Sequence, residues 1–270
     1  MRYQPLGLET VRTAEAELEY ELRGEGSPVT LFVHGLGGSI SDTRPLGSGV
    51  EGTKVFCHLR GHGGSTSWSS GNWDYPALAR DLDAVADAVG ATRFVGVSLG
   101  AGTAMHLLGT KPDRFERCVF FLPGAIDQPR TGPVIERLQS IAHAIDSGDR
   151  YGLEELLLLD VPESRRESAA GRAYASSRAK ALVGTSISRL FRGLPLAKPV
   201  EDRAVLRNVT AQCLVVGQED DPIHPAGLAR ELAAALGPHG SNVHVFEEGG
   251  ALWSARHALR DLITTHLNRP

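Results

Sequence analysis

The 270-residue sequence predicts an α/β fold, a mostly parallel central sheet with helices on both faces and a helical insertion. Three observations predict it. Short apolar runs alternate with amphipathic stretches along most of the chain. Two of the runs end in glycine-rich turns, His34-Gly35-Leu36-Gly37-Gly38 and Gly96-Val97-Ser98-Leu99-Gly100. The alternation stops between 126 and 203, where helical spacing takes over. The expected organisation is therefore a core of 1–125 and 204–270 with a helical lid at 126–203.

Taken in order, Leu18–Leu22 alternates and reads as an edge strand or hairpin arm. Val29–Val33 is nearly continuously apolar, which suits a strand covered on both faces. Lys54–Leu59 is the next strand, and Arg60-Gly61-His62-Gly63-Gly64-Ser65 follows it. Asp74 is placed to cap a helix running to about Val89, with Leu78, Leu82, Val85 and Val89 on one face. Gly90 stops that helix, and the strand leading into Ser98 comes next. Small and apolar residues after Ser98 continue as a helix, and Cys118–Leu122 is another strand. Helical stretches at Val134–Asp146, Leu153–Leu159, Glu167–Leu182 and Ile187–Phe191 make up the insertion, which Pro195 and Pro199 end. Strand signals return at Gln212–Gly217. A helix over Pro225–Leu236, a strand at Val243–Phe246 and a final helix striped by Leu259, Leu262, Ile263 and His266 complete the chain.

Composition narrows the function classes. Hydrophobic content of 41% and charged content of 22% are those of a globular domain. A net charge of −4 argues against nucleic acid or an anionic membrane as the main partner. No stretch approaches the roughly eighteen apolar residues of a membrane span, and Met1–Pro5 has no apolar core of a secretory signal. A cytoplasmic protein is expected. Cys57, Cys118 and Cys213 sit in apolar runs with no metal-ligand spacing, which suits buried thiols in a reducing compartment. No metal motif, dinucleotide fingerprint or phosphate loop occurs, so no cofactor is implied.

Ser98 lies at the apex of a strand–turn–helix so tight that a Cβ at 96 or 100 would clash. Together with His34–Gly38, Arg60–Ser65 and Asp220-Asp221-Pro222-Ile223-His224-Pro225, this elbow resembles the α/β-hydrolase superfamily in motif order across most of the chain outside the insertion. The resemblance implies that Ser98 is a nucleophile and that the backbone N–H groups of Leu36 and Leu99 form an oxyanion hole. For the acid, Asp221 is preferred to Asp220, because the following proline fixes the turn that aims the side chain. His34 is expected to serve the local main chain.

The base departs from the family pattern. After the last strand the family usually has a histidine, and here the loop reads Glu247-Glu248-Gly249-Gly250-Ala251-Leu252-Trp253. Two replacements stay open. His257 follows six residues later but points away from the core stripe if Ser254 caps the final helix. His224 stands three residues after Asp221 on the same edge. His58 reads as a strand-end residue, His106 as a packing residue and His143 as part of the insertion surface. Trp68, Trp73 and Trp253 fall in loops at the expected pocket edge.

The expected function is serine-dependent acyl transfer (esterase, thioesterase or acyltransferase) on a small-molecule or carrier-bound acyl substrate. A lyase or cyclase of the same fold and a binding protein with a degenerate site are the alternatives.

Overall fold

A computed structural model describes residues 7–67, 73–237 and 241–269. Trp68 lies outside the described residues. One sheet organises the chain, built from β1 (Leu8–Arg12), β2 (Ala16–Arg23), β3 (Val29–Val33), β4 (Thr53–Cys57), β5 (Thr66–Ser67), β6 (Arg93–Val97), β7 (Arg117–Phe121), β8 (Gln212–Gln218) and β9 (Ser241–Phe246). The spatial order is β1-β2-β4-β3-β6-β7-β8-β9, with β5 paired to β2. From β4 onward every neighbour is parallel, whereas β1, β2 and β5 make antiparallel pairs at one end.

The helices are α1 (Ile40–Thr43), α2 (Tyr75–Val89), α3 (Leu99–Thr110), α4 (Pro133–Ser147), α5 (Arg150–Leu158), α6 (Glu163–Arg166), α7 (Ala169–Leu182), α8 (Ser188–Gly193), α9 (Ala226–Ala235), α10 (Ala251–Ser254) and α11 (Arg256–Leu267). Asp74 caps α2 by accepting from the Ala77 N–H at 3.0 Å, and Gly90 ends it in the left-handed conformation. Five helices, α4 to α8, lie between β7 and β8.

The two faces of the sheet bury separate apolar clusters. Leu31, Val33, Val55, Phe94 and Phe120 point to the side covered by α2, α3 and the α4–α8 helices. Phe32, Phe56, Val95, Val119 and Val216 point to the other, against Leu259, Ile263 and Leu267 of α11. Side chains alternate across a strand, so a sheet covered on both faces needs near-continuous apolar runs, as Val29–Val33 and Cys118–Phe121 supply. The three cysteines are buried and free. No helix among the described residues is long and apolar enough to cross a membrane.

Parallel strands deliver the turns after β3, β6, β7 and β8 to one edge. In an open α/β sheet, the crevice beyond the carboxyl ends of the strands is where ligands bind.

Candidate active site

Ser98 sits between β6 and α3 with φ 47° and ψ −99°, a backbone state that L-residues avoid. The surrounding contacts hold it there: the Ser98 N–H donates to Phe121 O at 2.9 Å, and the Gly102 N–H returns to Ser98 O at 2.9 Å. The turn needs its glycines. A Cβ on Gly96 would lie 2.7 Å from the Ala101 nitrogen, and one on Gly100 would lie 2.6 Å from Val33 O. The turn after β3 passes directly beside it, since a Cβ on Gly35 would lie 3.5 Å from Ser98 Cβ.

The imidazole that meets Ser98 belongs to His224. Its Nε2 is 2.9 Å from Ser98 Oγ, and its Nδ1 is 3.0 Å from Asp221 Oδ2. Only 14% of the His224 side chain and 12% of the Asp221 side chain is exposed, so both contacts are largely shielded from water. The four-residue turn builds this pair locally. Asp221 Oδ1 accepts from the backbone N–H of Ile223 at 2.9 Å and of His224 at 3.0 Å, which curls the chain and returns the ring to the other carboxylate oxygen. Gln218 Nε2 donates to Oδ2 at 2.7 Å. Burial alone would raise the Asp221 carboxyl, but the His224 hydrogen bond and charge, with the Gln218 and backbone donors, hold it well below the ordinary carboxylate range. Asp220 is an exposed turn residue with φ 55°.

His257, the other replacement left open by the sequence, is corrected. It lies in the first turn of α11, exposed to solvent, on the face opposite buried Leu259 and Ile263. Ala251, where the family usually has a histidine, has a structural place instead. It is buried in the core cluster under α11, and its N–H donates to Gln218 Oε1 at 2.9 Å. Gln218 thus bridges the loop that lacks a histidine to the carboxylate that orients the one at 224. The sequence reading missed Gln218; its place at the end of β8, three residues before Asp221, is the signal that marks it.

The Leu36 and Leu99 N–H groups have no hydrogen-bond partner among the described residues. Leu99 is the first residue of α3, where backbone donors are free by construction. The Leu36 turn is fixed by three buried imidazoles. His34 Nδ1 donates to Gly35 O at 2.7 Å while its Nε2 accepts from the Leu59 N–H at 3.2 Å. His62 Nε2 accepts from the Gly37 N–H at 3.0 Å, and His58 Nε2 accepts from the Ile40 N–H at 3.0 Å. Each ring must be neutral to accept. Burial agrees, lowering His34 well below its ordinary value, lowering His58 and lowering His62 to about 3.

The helices between β7 and β8 pack onto this turn. A Cβ on Gly37 would lie 3.0 Å from Phe191 Cζ of α8 and 3.3 Å from Leu182 Cδ1 of α7. Arg178 of α7 pairs with Asp42 at 3.2 Å. Trp253 meets Tyr174 of α7 edge-on at 5.4 Å, and Trp73 covers Gly61, so both act in packing. His106 Nδ1 donates to Pro199 O at 2.8 Å, as a packing residue would. His143 is exposed on α4 and lines a depression of about 510 Å³ between α4 and α5. No cluster of acidic, histidine and cysteine side chains fit for a metal occurs among the described residues.

A family model described as alpha/beta hydrolase fold matches residues 28–156. Solved structures share the fold over nearly the whole chain. A hydrolase from Pseudomonas aeruginosa PA01 is 20% identical with a TM-score of 0.81, over 97% of this chain and 98% of that one. An enol-lactonase from Burkholderia xenovorans LB400 is 20% identical, TM-score 0.77, over 94% and 97%. A homoserine O-acetyltransferase from Staphylococcus aureus is 16% identical, TM-score 0.79, over 98% and 96%. Among curated proteins none matches the sequence. The chain has the α/β-hydrolase fold that its motifs predict.

Proposed function

We propose that this protein is a serine-dependent acyl-transfer enzyme in which Ser98 is the nucleophile, His224 the base and Asp221 the acid that orients it. The observation that carries the reading is the continuous hydrogen-bonded series Ser98 Oγ–His224 Nε2 and His224 Nδ1–Asp221 Oδ2 at 2.9 and 3.0 Å. A serine hydroxyl is a weak nucleophile until a neighbouring imidazole takes its proton. In attack on an ester carbonyl, Ser98 Oγ bonds to the carbonyl carbon as its proton passes to His224 Nε2. The oxygen that becomes negative faces the free N–H groups of Leu36 and Leu99. His224 then gives the proton to the departing alcohol, thiol or amine. Water or another acceptor repeats the sequence to release the acyl group.

The base is atypical in position and ordinary in chemistry. That supports an active enzyme over a binding protein with a degenerate site. An acyl-transfer role also agrees with neighbours that include an enol-lactonase and an acetyltransferase. The helices at 126–203 act as a lid in this reading, because α7 and α8 lie over the Leu36 turn.

The test is intact-protein mass spectrometry after incubation with p-nitrophenyl acetate. The wild type is expected to gain one acetyl mass transiently. Ser98→Ala is expected to gain none, and His224→Ala is expected to acylate at least 100-fold more slowly. Full-rate acylation in His224→Ala, or an acetyl mass that persists in Ser98→Ala, overturns the assignment.

A further inference from the structure

Arg130, in the stretch joining β7 to α4, is the cation that the triad does not use. Its backbone N–H donates to Pro195 O at 3.0 Å, which anchors it to the far end of the insertion. Its side chain runs inward to the catalytic edge. Nη1 donates to Ile223 O at 2.6 Å, inside the turn that carries Asp221 and His224. The guanidinium packs against Gly124, where a Cβ would come within 1.7 Å of Nη2 and 2.5 Å of Cζ. Gly124 follows β7, and β7 stands between β6, which leads to Ser98, and β8, which leads to Asp221. The guanidinium therefore sits just beyond the carboxyl end of the middle strand of the three.

Arg130 faces no acid at ion-pair distance among the described residues, whereas Arg60, Arg114, Arg178 and Arg203 each meet a carboxylate. Taking a guanidinium out of water without a partner is costly, and burial does lower the Arg130 pKa. The anion that acts on it is Asp221, whose carboxylate is already committed to His224, Gln218 and two N–H groups; Tyr75 also neighbours the guanidinium, but burial pushes its phenol up to about 12, so it stands there as a neutral O–H. Tyr75 is buried at the start of α2, and its hydroxyl has no hydrogen-bond partner among the described residues. That hydroxyl lies over Gly102, one turn after Ser98, where a Cβ would be 2.9 Å from Oη. Tyr75 and Pro129 also line a depression of about 330 Å³ that opens to the surface beside Leu196 and Lys198.

We infer that Arg130 and Tyr75 form a carboxylate-binding subsite beside Ser98, so that the substrate of this enzyme is an acyl compound bearing a carboxylate. This deepens the acyl-transfer reading and rests on it for the reaction, though not for the binding. One guanidinium edge stays on Ile223 O. The other edge and the Tyr75 hydroxyl offer N–H and O–H donors to the two oxygens of the anion, and guanidinium geometry favours a planar carboxylate over a neutral carbonyl.

Two matched ester pairs test the inference and locate the carboxylate. Mono-p-nitrophenyl glutarate against p-nitrophenyl valerate places the charge on the acyl part. 4-Acetoxybenzoate against methyl 4-acetoxybenzoate places it on the leaving part. The wild type is expected to show at least a tenfold higher kcat/KM for the anionic member of one pair. Arg130→Met is expected to reduce that ratio at least tenfold, and Arg130→Lys to restore part of it. A purely structural clamp on Ile223 would lower both members of a pair together. A ratio near one in both wild-type pairs, or one that survives Arg130→Met, overturns the subsite. If no ester acylates Ser98, it is the catalytic reading that has failed. The subsite is then read by calorimetry on Ser98→Ala with glutarate and 4-hydroxybenzoate. Binding lost in Arg130→Met supports it, and no binding, or binding unaffected by that change, refutes it.

Discussion

Acidification is expected to loosen the turn beside Ser98, because His34 and His62 are folded as neutral acceptors. In the unfolded chain each imidazole takes a proton near pH 6.5, whereas folded His62 does so only at about 3. Between those values the unfolded state holds the extra proton, so stability is complete above about 6.5 and declines as pH falls toward 3. The slope is about 1.4 kcal/mol per pH unit for each such group. At pH 5, about 1.5 units below the unfolded value, His62 alone has withdrawn about 2 kcal/mol. His34 is shifted in the same direction, by burial first and by neighbouring His62, and so acts with the same sign. His62→Gln isolates the contribution, since Gln Oε1 can accept from the Gly37 N–H but cannot titrate. Urea unfolding at a series of pH values between 7.5 and 5 measures it. The expected result is a variant whose stability falls less steeply, by about 1.4 kcal/mol per unit below pH 6.5. Identical slopes in variant and wild type would refute the neutral-acceptor account.

Ser98→Gly is expected to abolish acylation while raising unfolding free energy by about 1 kcal/mol in denaturant titration, because glycine accepts φ 47° without strain. Gly100→Ala should cost about 1–3 kcal/mol and most of the activity, since its methyl would meet Val33 O at 2.6 Å and push the elbow off β3. Asp81→Ala should destabilise by about 3 kcal/mol in the same titration, because it strips buried Arg60 of a carboxylate at 2.5 and 2.8 Å, a closer partner than Glu15 at 3.4 Å. His257→Ala, on the solvent face of α11, should change neither acylation rate nor stability beyond about 0.5 kcal/mol.

What the sequence made legible was whatever sterics write locally. Gly96 and Gly100 flank Ser98 because main chain passes within clashing distance of both, and that demand shows in the residue types themselves. The same holds for the strands at Val29–Val33 and Cys118–Phe121, whose two buried faces require unbroken apolar runs. β1 escaped notice for the opposite reason: its residues are largely exposed, so no burial period marks it and only its ladder with β2 holds it. Arg130 and Gln218 were silent because their positions depend on contacts across 93 and 33 residues of chain. The histidine that meets Ser98 fell between these cases. His224 and His257 could not be separated by counting along the chain, because reaching Ser98 depends on how β8 and α11 pack.

The local turn fixes an aspartate–histidine pair beside Ser98 without help from a second loop. An acid and base on separate loops meet only if both loops are placed correctly. Here Asp221 Oδ1 binds the two backbone N–H groups of its own turn and Oδ2 binds the imidazole three residues on, so their mutual orientation is fixed within four residues. Only the 2.9 Å contact between His224 and Ser98 is left to tertiary structure, and the parallel ladder from β6 through β7 to β8 sets it. Gln218 completes the exchange by holding the Ala251 loop and the Asp221 carboxylate with one amide. Position 251 is a small core residue beneath α11.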